Sequence, residues 1–336
     1  MTDHVPLRVL VTGGAGFIGS NFVRAFVARN PATEVVVLDL LTYAGTRGDV
    51  FEAPKGRHRF VHGNICDRDL VRSLFRSHAI DTVVHFAAET HVDRSIADPD
   101  VFIETNIVGT FTLLEAARAT WRSGASCRFH HVSTDEVFGS LQLGDRPFDE
   151  RSPYRPNSPY SASKASSDHL VRAYSHTYGL PVTISHCSNN YGPYQNDEKF
   201  VPTVIRACLT RQAIPIYGDG THRRDWLYVD DHCEALETIV RTGHIGETYC
   251  LGGGCECANI DIARNICALA DASFPDRDKH EALIKFVSDR PGHDWRYAIA
   301  SDKARIELGW TPRHNLALGL DKTFRWYAQR LSDATT

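Results

Sequence analysis

The 336-residue sequence lacks a strong excess of either charge and lacks any long hydrophobic run. Its 37 Lys and Arg residues nearly balance 41 Asp and Glu residues, for a net charge of −4, and no basic run stands out. The basic surface typical of nucleic-acid-binding proteins is therefore missing, and no nucleic-acid partner is predicted. No apolar stretch approaches the roughly 20 residues that span a bilayer, so no membrane partner is predicted.

Paired cysteine motifs and an export signal are also missing. The nine cysteines are scattered and odd in number, without a CxxC spacing. The one cluster, Cys255 and Cys257 with Cys250 nearby, lacks the paired spacing of a zinc site, so no metal is predicted. Residues 1–6 are polar and run directly into a strand pattern, unlike a signal peptide. We therefore expect a cytoplasmic protein with reduced thiols.

The sequence does contain apolar runs that alternate with longer amphipathic stretches. The apolar runs predict buried strands at 8–11, 35–38, 81–87, 128–132 and 181–186. The amphipathic stretches predict helices at 18–29, 68–77, 99–120 and 159–178, then, after a turn-rich change near residue 190, at 200–211, 230–241, 259–270 and 302–308. This alternation favours an α/β fold with a doubly wound parallel sheet and a smaller carboxy-terminal lobe over its carboxyl edge.

A glycine-rich loop joins the first predicted strand to the first predicted helix. Gly13, Gly16 and Gly19 have the spacing that lets a pyrophosphate approach the backbone and the helix amino end. Asp39 ends the second strand about 20 residues after the last glycine, where an acid can bond a ribose 2′-hydroxyl. Because a carboxylate there repels a 2′-phosphate, NAD is the favoured cofactor. NADP remains an alternative, because Arg47 could reach the site.

Tyr160 and Lys164 lie near the start of a predicted helix, four residues apart and so on one face. A nearby ammonium and an oxidised nicotinamide ring would favour the phenolate form of this tyrosine, which suits it to act as a base. With the glycine loop and Asp39, this pair resembles the extended short-chain dehydrogenase/reductase family. The resemblance also includes residues 85–88, Asn106 and the pair Ser133 and Thr134.

That resemblance implies a Rossmann-type domain of about seven parallel strands and an active triad of Thr134, Tyr160 and Lys164. Two adjacent acids, Asp135 and Glu136, follow Thr134 at the carboxyl end of a strand. Elimination of water needs one group to remove a carbon-bound proton and another to protonate the leaving hydroxyl. Two carboxylates in different environments can divide these roles.

With the acid pair included, the chain resembles the dTDP-glucose 4,6-dehydratase family. The motifs that carry this resemblance lie at 41–45, 87–95, 133–137, 158–165, 187–193, 224–229 and 289–294. The resemblance implies a homodimeric lyase of deoxysugar biosynthesis. Such an enzyme oxidises C4 of a nucleoside-diphosphate-glucose with NAD, eliminates water across C5 and C6, and returns the hydride to C6. It also implies an NAD-binding domain at 1–187, joined by a segment near 225–252, and a sugar-nucleotide lobe at 188–336.

Individual residues carry over from these motifs. The catalytic set is Thr134, Asp135, Glu136, Tyr160 and Lys164. The cofactor set is Gly13, Gly16, Phe17, Ile18, Gly19, Asp39, Thr42, Asn64, Ile65, Ala87, Ala88, Thr105, Tyr160 and Lys164. The substrate set is Thr90, Thr134, Asn190, Glu198, Lys199, Pro215, Tyr217, Arg224, Asn259, His293 and Tyr297.

Some positions depart from the family pattern, and they leave alternatives open. The departures are Leu40, Asn64, Phe138, Trp295 and the segment 195–197. Because 195–197 lies near the expected nucleotide pocket, the base could be thymine or uracil, which keeps a UDP-glucose 4,6-dehydratase open. A sugar-nucleotide 4-epimerase shares the loop, Asp39, Tyr160 and Lys164 but needs no acid pair. A non-catalytic dinucleotide sensor or scaffold would not need the Tyr–Lys pair.

Overall fold

The computed structural model describes residues 3–43, 45, 58–122, 124–276, 278–289 and 293–335. Its strands are β1 (Arg8–Thr12), β2 (Glu34–Asp39), β3 (His58–His62), β4 (Thr82–His85), β5 (Arg128–Thr134), β6 (Val182–Cys187), β7 (Asn189–Tyr191), β8 (Ile214–Tyr217), β9 (Arg223–Tyr228), β10 (Thr248–Leu251), β11 (Glu256–Ala258) and β12 (Ile284–Val287). Its helices are α1 (Phe17–Arg29), α2 (Arg68–Ser77), α3 (Val92–Ala97), α4 (the joined segments Asp100–Phe102, Ile103–Gly109 and Thr110–Thr120), α5 (Pro159–Tyr178), α6 (Phe200–Thr210), α7 (Val229–Thr242), α8 (Asn259–Ser273), α9 (Asp302–Leu308) and α10 (Leu316–Thr335).

A seven-stranded parallel sheet forms the centre of the fold, in the order β10-β6-β5-β4-β1-β2-β3. The chain builds outward from β1 through β2 and β3, and then returns to the other side with β4. The strand order therefore reverses between β1 and β4, and the crevice at the carboxyl ends of these strands is where such sheets bind ligands. The predicted α/β class with a doubly wound parallel sheet is confirmed.

Helices cover both faces of this sheet, which explains why strands such as β4, β5, β6 and β10 are buried along their whole length rather than on alternate residues. On one face α1 packs against α7, with Phe22, Phe26 and Leu236 buried. On the other face α2, α4 and α5 bury Phe75 and Leu113. Each such side chain contributes about 1.5–3 kcal/mol through its burial, so the sheet is a rigid support for the loops at its carboxyl edge.

Helix α4 differs from the single regular helix predicted at 99–120, because its segment Ile103–Gly109 is π-helical. The buried side chain of Asn106 lies in this segment. Its Oδ1 accepts the backbone N–H of Glu89 at 2.8 Å, and its Nδ2 donates to Oγ of Ser163 at 2.8 Å. The wider turn thus ties α4 to the loop after β4 and to α5, both of which border the cavity described below.

The carboxy-terminal half adds two small sheets beside the large one. One has the order β11-β9-β7, and the other pairs β12 with β8. Helices α6, α8 and α10 pack around them over a separate core that includes Ile205, Ile266 and Phe324. Among the described residues, no helix is both long enough and apolar enough to cross a membrane.

Candidate active site

A cavity of about 400 Å³ lies at the carboxyl ends of the central strands. Its walls come from the β1–α1 loop, the ends of β2 and β4, the π-helical part of α4, the end of β5, the start of α5 and the segment 187–199. All residues of the predicted cofactor set line it: Gly13, Gly16, Phe17, Ile18, Gly19, Asp39, Thr42, Asn64, Ile65, Ala87, Ala88, Thr105, Tyr160 and Lys164.

The glycine loop has the shape that a dinucleotide needs. Gly13 has φ +71°, and a Cβ built on it would lie 2.5 Å from the backbone N of Ala87. A Cβ on Gly19 would collide with the carbonyl oxygen of Gly13. Helix α1 begins after Gly16 with no side-chain cap, so the N–H groups of its first turn are not satisfied by a capping side chain. The loop is therefore a cradle for a pyrophosphate at a helix amino end.

Asp39 lies at the end of β2, where the sequence predicts it. Its Oδ2 accepts the N–H of Ala15 at 2.9 Å, and its Oδ1 accepts the N–H of Leu41 at 2.8 Å. Burial raises the pKa of this carboxyl, and the two backbone hydrogen bonds oppose that shift. Each carboxylate oxygen can accept a second hydrogen bond, so the group can still bind a ribose hydroxyl. Arg47, the residue that kept NADP open, lies outside the described residues.

Tyr160 and Lys164 are both buried and both line the cavity. Nζ of Lys164 donates to the carbonyl oxygen of Val132 at 2.9 Å, and burial lowers the pKa of this lysine to about 8. The pKa of Tyr160 is raised well above its usual value by burial and by Glu136, against a hydrogen bond with Thr134 that lowers it. Within the protein alone the expected preference for the phenolate is therefore not present, because burial and the Glu136 charge outweigh the hydrogen bond with Thr134.

Asp135 and Glu136 lie side by side at the cavity wall but in different environments. Asp135 is buried, whereas Glu136 is partly exposed. Burial, with Glu136 and Asp225 nearby, raises the pKa of Asp135 well above its usual range, although Arg224 opposes this shift. The environment thus favours a protonated Asp135 next to a more accessible carboxyl group, which is an arrangement suited to an acid and a base.

The substrate set divides into two groups. Thr90, Thr134, Asn190 and Lys199 line the cavity. The remaining residues are not part of its lining: Glu198, Pro215, Tyr217, Arg224, Asn259, His293 and Tyr297.

Arg224 and Tyr297 lie close to the acid pair despite being outside the lining. The Arg224 guanidinium lies 4.6 Å from the Tyr297 ring centroid and donates to the carbonyl oxygen of Asp294 at 2.8 Å. Its charge acts on the pKa of Asp135, and Glu136 acts on the pKa of Tyr297. These two residues therefore border the catalytic end of the cavity from the side of the carboxy-terminal half.

Tyr217 and His293 form a second cluster, farther from the cavity. The His293 and His222 rings stack with centroids 3.8 Å apart and planes 16° apart. Asp289 lies 2.7 Å from Nδ1 of His293 and 3.3 Å from Nε2 of His222. The backbone N–H of Asn259 donates to the carbonyl oxygen of His222 at 3.0 Å. An imidazole lone pair lies in its ring plane, so two nearly parallel stacked rings do not aim at one metal position.

Glu198 lies at the rim of the cavity, where it pairs with other side chains. Its Oε2 lies 3.6 Å from the guanidinium of Arg94 and 3.8 Å from Nε2 of His91. Arg94 in turn lies over the ring of Tyr43, 3.6 Å from its centroid. In this arrangement Glu198 joins the carboxy-terminal half to the loops after β2 and β4.

Some cavity-lining residues were not predicted as site residues. Ser188, Asn189, Gln195 and Asn196 also line the cavity. Ser188 and Asn189 directly follow β6, so the rule that polar residues at the carboxyl ends of parallel strands meet at one edge could have identified them. Gln195 and Asn196 belong to the segment noted as a departure, and Nδ2 of Asn196 donates to the carbonyl oxygen of Tyr43 at 3.2 Å.

The fold and the cavity define a class: an extended short-chain dehydrogenase/reductase, with a dinucleotide loop, a Tyr–Lys pair and an acid pair around one site. A family model described as GDP-mannose 4,6 dehydratase matches residues 10–323. The chain is 52% identical over 330 residues to a dTDP-glucose 4,6-dehydratase of Neisseria meningitidis serogroup B, covering 95% of this chain and 93% of that protein.

Solved structures agree with these matches. A dTDP-glucose 4,6-dehydratase from Streptomyces venezuelae, with NAD and TYD bound, has a TM-score of 0.89 and 46% identity, covering 97% of this chain and 98% of that one. A UDP-glucose 4-epimerase from Thermotoga maritima, with UDP-glucose, has a TM-score of 0.87 but 27% identity, covering 97% and 100%. The chain belongs to the dTDP-glucose 4,6-dehydratase family.

Proposed function

We propose that this protein is a lyase that uses NAD to dehydrate dTDP-glucose to the 4-keto-6-deoxy sugar nucleotide. The observation that carries the proposal is the position of Asp135 and Glu136 beside Tyr160 and Lys164 in one cavity. A 4-epimerase needs the Tyr–Lys pair alone, so fold similarity to an epimerase does not explain the acids. The identity of 52% to a dTDP-glucose 4,6-dehydratase supports the same reaction.

The cofactor side of the cavity fits NAD. The cradle at Gly13 and Gly19 would hold the pyrophosphate, and Asp39 would accept hydrogen bonds from the adenosine ribose. Residues 40 and 41 are both leucines, so they offer no cation for a 2′-phosphate. NAD, when bound, would supply a hydride acceptor for C4 of the sugar and, once reduced, a hydride donor for C6.

The protein groups divide the proton transfers. Tyr160 takes the proton of the C4 hydroxyl, and the Lys164 ammonium offsets the cost of forming a buried phenolate. The 4-ketone that results acidifies the C5 proton, which Glu136 removes. Asp135, held protonated by its environment, donates to the C6 hydroxyl as it leaves as water. Thr134 donates a hydrogen bond that holds the C4 oxygen near Tyr160.

Residues around the acid end would hold the sugar nucleotide. Lys199 and Arg224 offer cationic donors that suit a diphosphate. Asn190 has a fixed orientation, because its Oδ1 lies 2.9 Å from Nδ1 of His232. The outer cluster of Tyr217 and His293 would contact the part of the substrate farthest from the acids. Glu198 would act from the rim.

We also infer a homodimer formed through α4 and α5. Ile103 and Val108 on α4 are exposed apolar residues, and Tyr178 at the end of α5 is 53% exposed. Exposed apolar side chains on adjacent helices mark an association surface, and two-fold dimers are the commonest oligomers. Light scattering should give twice the mass of one chain, and the mass of a single chain would contradict this inference.

Location and domain division are proposals as well. All nine cysteines are free thiols, which fits the reducing cytoplasm; cell fractionation tests this. A cofactor domain at 1–187 joined by a segment near 225–252 is supported by β10, which pairs with β6 in the large sheet. The lobe at 188–336 would then supply the residues that hold the sugar nucleotide.

The direct test is to incubate the purified protein with dTDP-, UDP-, CDP- and GDP-glucose under identical conditions. The molecular masses of the products are then measured by mass spectrometry. Dehydration lowers the product mass by one water, whereas epimerisation leaves the mass unchanged. We expect loss of water with dTDP-glucose and the highest kcat/KM for that substrate. A product of unchanged mass would indicate an epimerase, and a preference for UDP-glucose would reassign the base.

A further inference from the structure

A fully buried carboxylate, Asp168, lies on α5 one turn after Lys164 and outside the cavity lining. The hydroxyls of Ser133 and Tyr154 donate to its Oδ2 at 3.0 and 2.8 Å. Nε2 of His186 lies 2.9 Å from the same oxygen, and Nε2 of His131 lies 3.1 Å from Oδ1. No step of the proposed reaction uses this carboxylate, although burying a charge so deeply is costly.

Lys164 and Asp168 both bond to β5, at the two residues that directly precede Thr134. Lys164 bonds the carbonyl oxygen of Val132, and Asp168 bonds the side chain of Ser133, the next residue. Helix α5 therefore holds two consecutive residues of β5 through two residues one turn apart. Thr134 follows directly, so its position depends on this double attachment.

The charges of the two groups are also complementary. Burial alone would raise the pKa of Asp168, but the adjacent imidazoles of His131 and His186 outweigh burial and hold it well below its usual range. This ionised carboxylate raises the pKa of Lys164, against burial, which lowers it to about 8. Burial also holds the pKa of His131 down, to about 4, so this imidazole is neutral near pH 7 and adds no charge beside Asp168.

The other titratable groups around Lys164 and Asp168 come from every neighbouring element. His85 on β4 is buried with its pKa well below the usual value, so it carries no charge near neutral pH. On β6, burial raises the pKa of the Cys187 thiol to about 12, which keeps it uncharged. Tyr154, between β5 and α5, has a raised pKa for the same reason and because of Asp168. Among these groups Asp168 is the one that is charged at neutral pH, and its charge raises the pKa of Lys164.

We propose that Asp168 is a positioning residue that keeps Lys164 in its ammonium form and fixes the end of β5 against α5. The inference rests on the proposed role of Lys164 in the reaction. A carboxylate that only stabilised the core would contribute to folding but would leave the protonation of Lys164 unchanged. The two roles therefore differ in the pH dependence of the first chemical step.

The test uses the full-length holoenzyme and follows reduction of bound NAD by dTDP-glucose in a single turnover across pH. In the unchanged protein the rate should fall as pH rises through about 8, where Lys164 loses its proton. We call this fall in rate the alkaline limb. In Asp168→Asn its midpoint should move to a pH about one unit lower, because the ammonium no longer has an opposite charge nearby. An unshifted limb in a folded Asp168→Asn protein would overturn the proposal.

Tyr154→Phe is the matched control, because it removes a hydrogen bond to the same oxygen but leaves the carboxylate charge. Its alkaline limb should stay in place; a shift equal to that of Asp168→Asn would show that lost bonding, not lost charge, is responsible. Lys164→Met tests the underlying function separately. It should slow NAD reduction by about 10²-fold or more, and a normal rate would remove the proposed role of Lys164 itself.

A second route holds if Asp168→Asn does not fold. Without the Asp168 carboxylate, the buried ammonium of Lys164 loses the nearby opposite charge that offsets its desolvation, whereas replacing both charged groups by uncharged ones removes that cost. Under the proposal, Lys164→Met combined with Asp168→Asn should therefore restore a cooperative thermal unfolding transition. A double variant as unfolded as the single one would show that Asp168 serves the core alone.

Discussion

The cofactor side of the cavity is lined by loops at the carboxyl ends of the large parallel sheet, whereas its substrate side also borders residues of the carboxy-terminal half. On the cofactor side, every predicted residue lines the cavity, from Gly13 to Lys164. On the substrate side, residues such as Tyr217 and Asn259 lie beyond its lining. Cofactor recognition depends on loops at the ends of neighbouring parallel strands, which the strand order alone brings together. Substrate recognition depends on how the carboxy-terminal half packs over that edge.

The largest effect is expected where the two sides meet, at the acid pair. Asp135→Asn combined with Glu136→Gln keeps size and hydrogen bonding but removes the transferable protons. Turnover should fall by about 10²–10⁴-fold for each acid–base group, with strong non-additivity. The double variant should still oxidise C4 and then accumulate reduced nicotinamide, measured by its near-ultraviolet absorbance, together with a 4-keto nucleotide that retains its C6 oxygen.

Tyr160→Phe is the counterpart from the other side and should show little nicotinamide reduction. Substrate deuterated at C4 should carry its label to C6 of the product within one active site. Label released to solvent, or complete dehydration by the double variant, would contradict the assignment of Asp135 and Glu136.

A substitution at Gly13 tests the cofactor side of the cavity. In Gly13→Ala the left-handed backbone costs about 1–2 kcal/mol, and the contact with Ala87 adds about 1–3 kcal/mol of overpacking. The variant should lose bound NAD and melt at a lower temperature. Gly254→Ala is the control, because its φ of +66° matches the +71° of Gly13 but no atom lies within 4 Å of its added Cβ. Equal losses in both variants would exclude a cradle effect.

The substrate side can be weakened at Arg224. This guanidinium is buried and bonds the carbonyl oxygens of Asp294 and Trp295. Arg224→Gln removes a charged hydrogen-bond donor worth about 1.5–3 kcal/mol, so kcat/KM should fall by roughly 10- to 100-fold. Bound NAD should remain. Arg223→Gln, at the adjacent and more exposed position, is the control. A similar loss of kcat/KM in this variant would mean that any lost positive charge on β9, and not the specific position of Arg224, causes the effect.

Sequence patterns located the central sheet closely but could not define everything around it. The strand predicted at 8–11 is one residue shorter than β1, and the strand predicted at 181–186 is shifted by one residue from β6. Strand β3 was not predicted, because its sequence HRFVH is polar and only partly buried at the sheet edge. The π-helical turn at Asn106 was not predictable either, since it depends on contacts with Glu89 and Ser163, which are distant in sequence.

Asp168 has no motif of its own, and its importance emerges only when β5, β6 and α5 bring His131, His186 and Ser133 around it. Arg224 was named from a motif, yet its effect on Asp135 depends on how β9 crosses the end of the large sheet. Local motifs thus identify which residues react, and tertiary packing determines which of them share an electrostatic environment.

The smallest effect is expected at the outer cluster. Tyr217 is 46% exposed, and its ring lies 6.2 Å from that of His293. Tyr217→Phe removes only a hydroxyl at an accessible position, so KM for dTDP-glucose should change by less than about threefold, as is usual for surface substitutions. Tyr297→Phe, which removes a buried hydroxyl bonded to Asp294 near Glu136, should raise KM or lower kcat by about tenfold or more. The ratio of the two effects measures how far the substrate site extends beyond the cavity. A change of tenfold or more in Tyr217→Phe would mean that the outer cluster binds the nucleotide as strongly as the catalytic end holds the sugar.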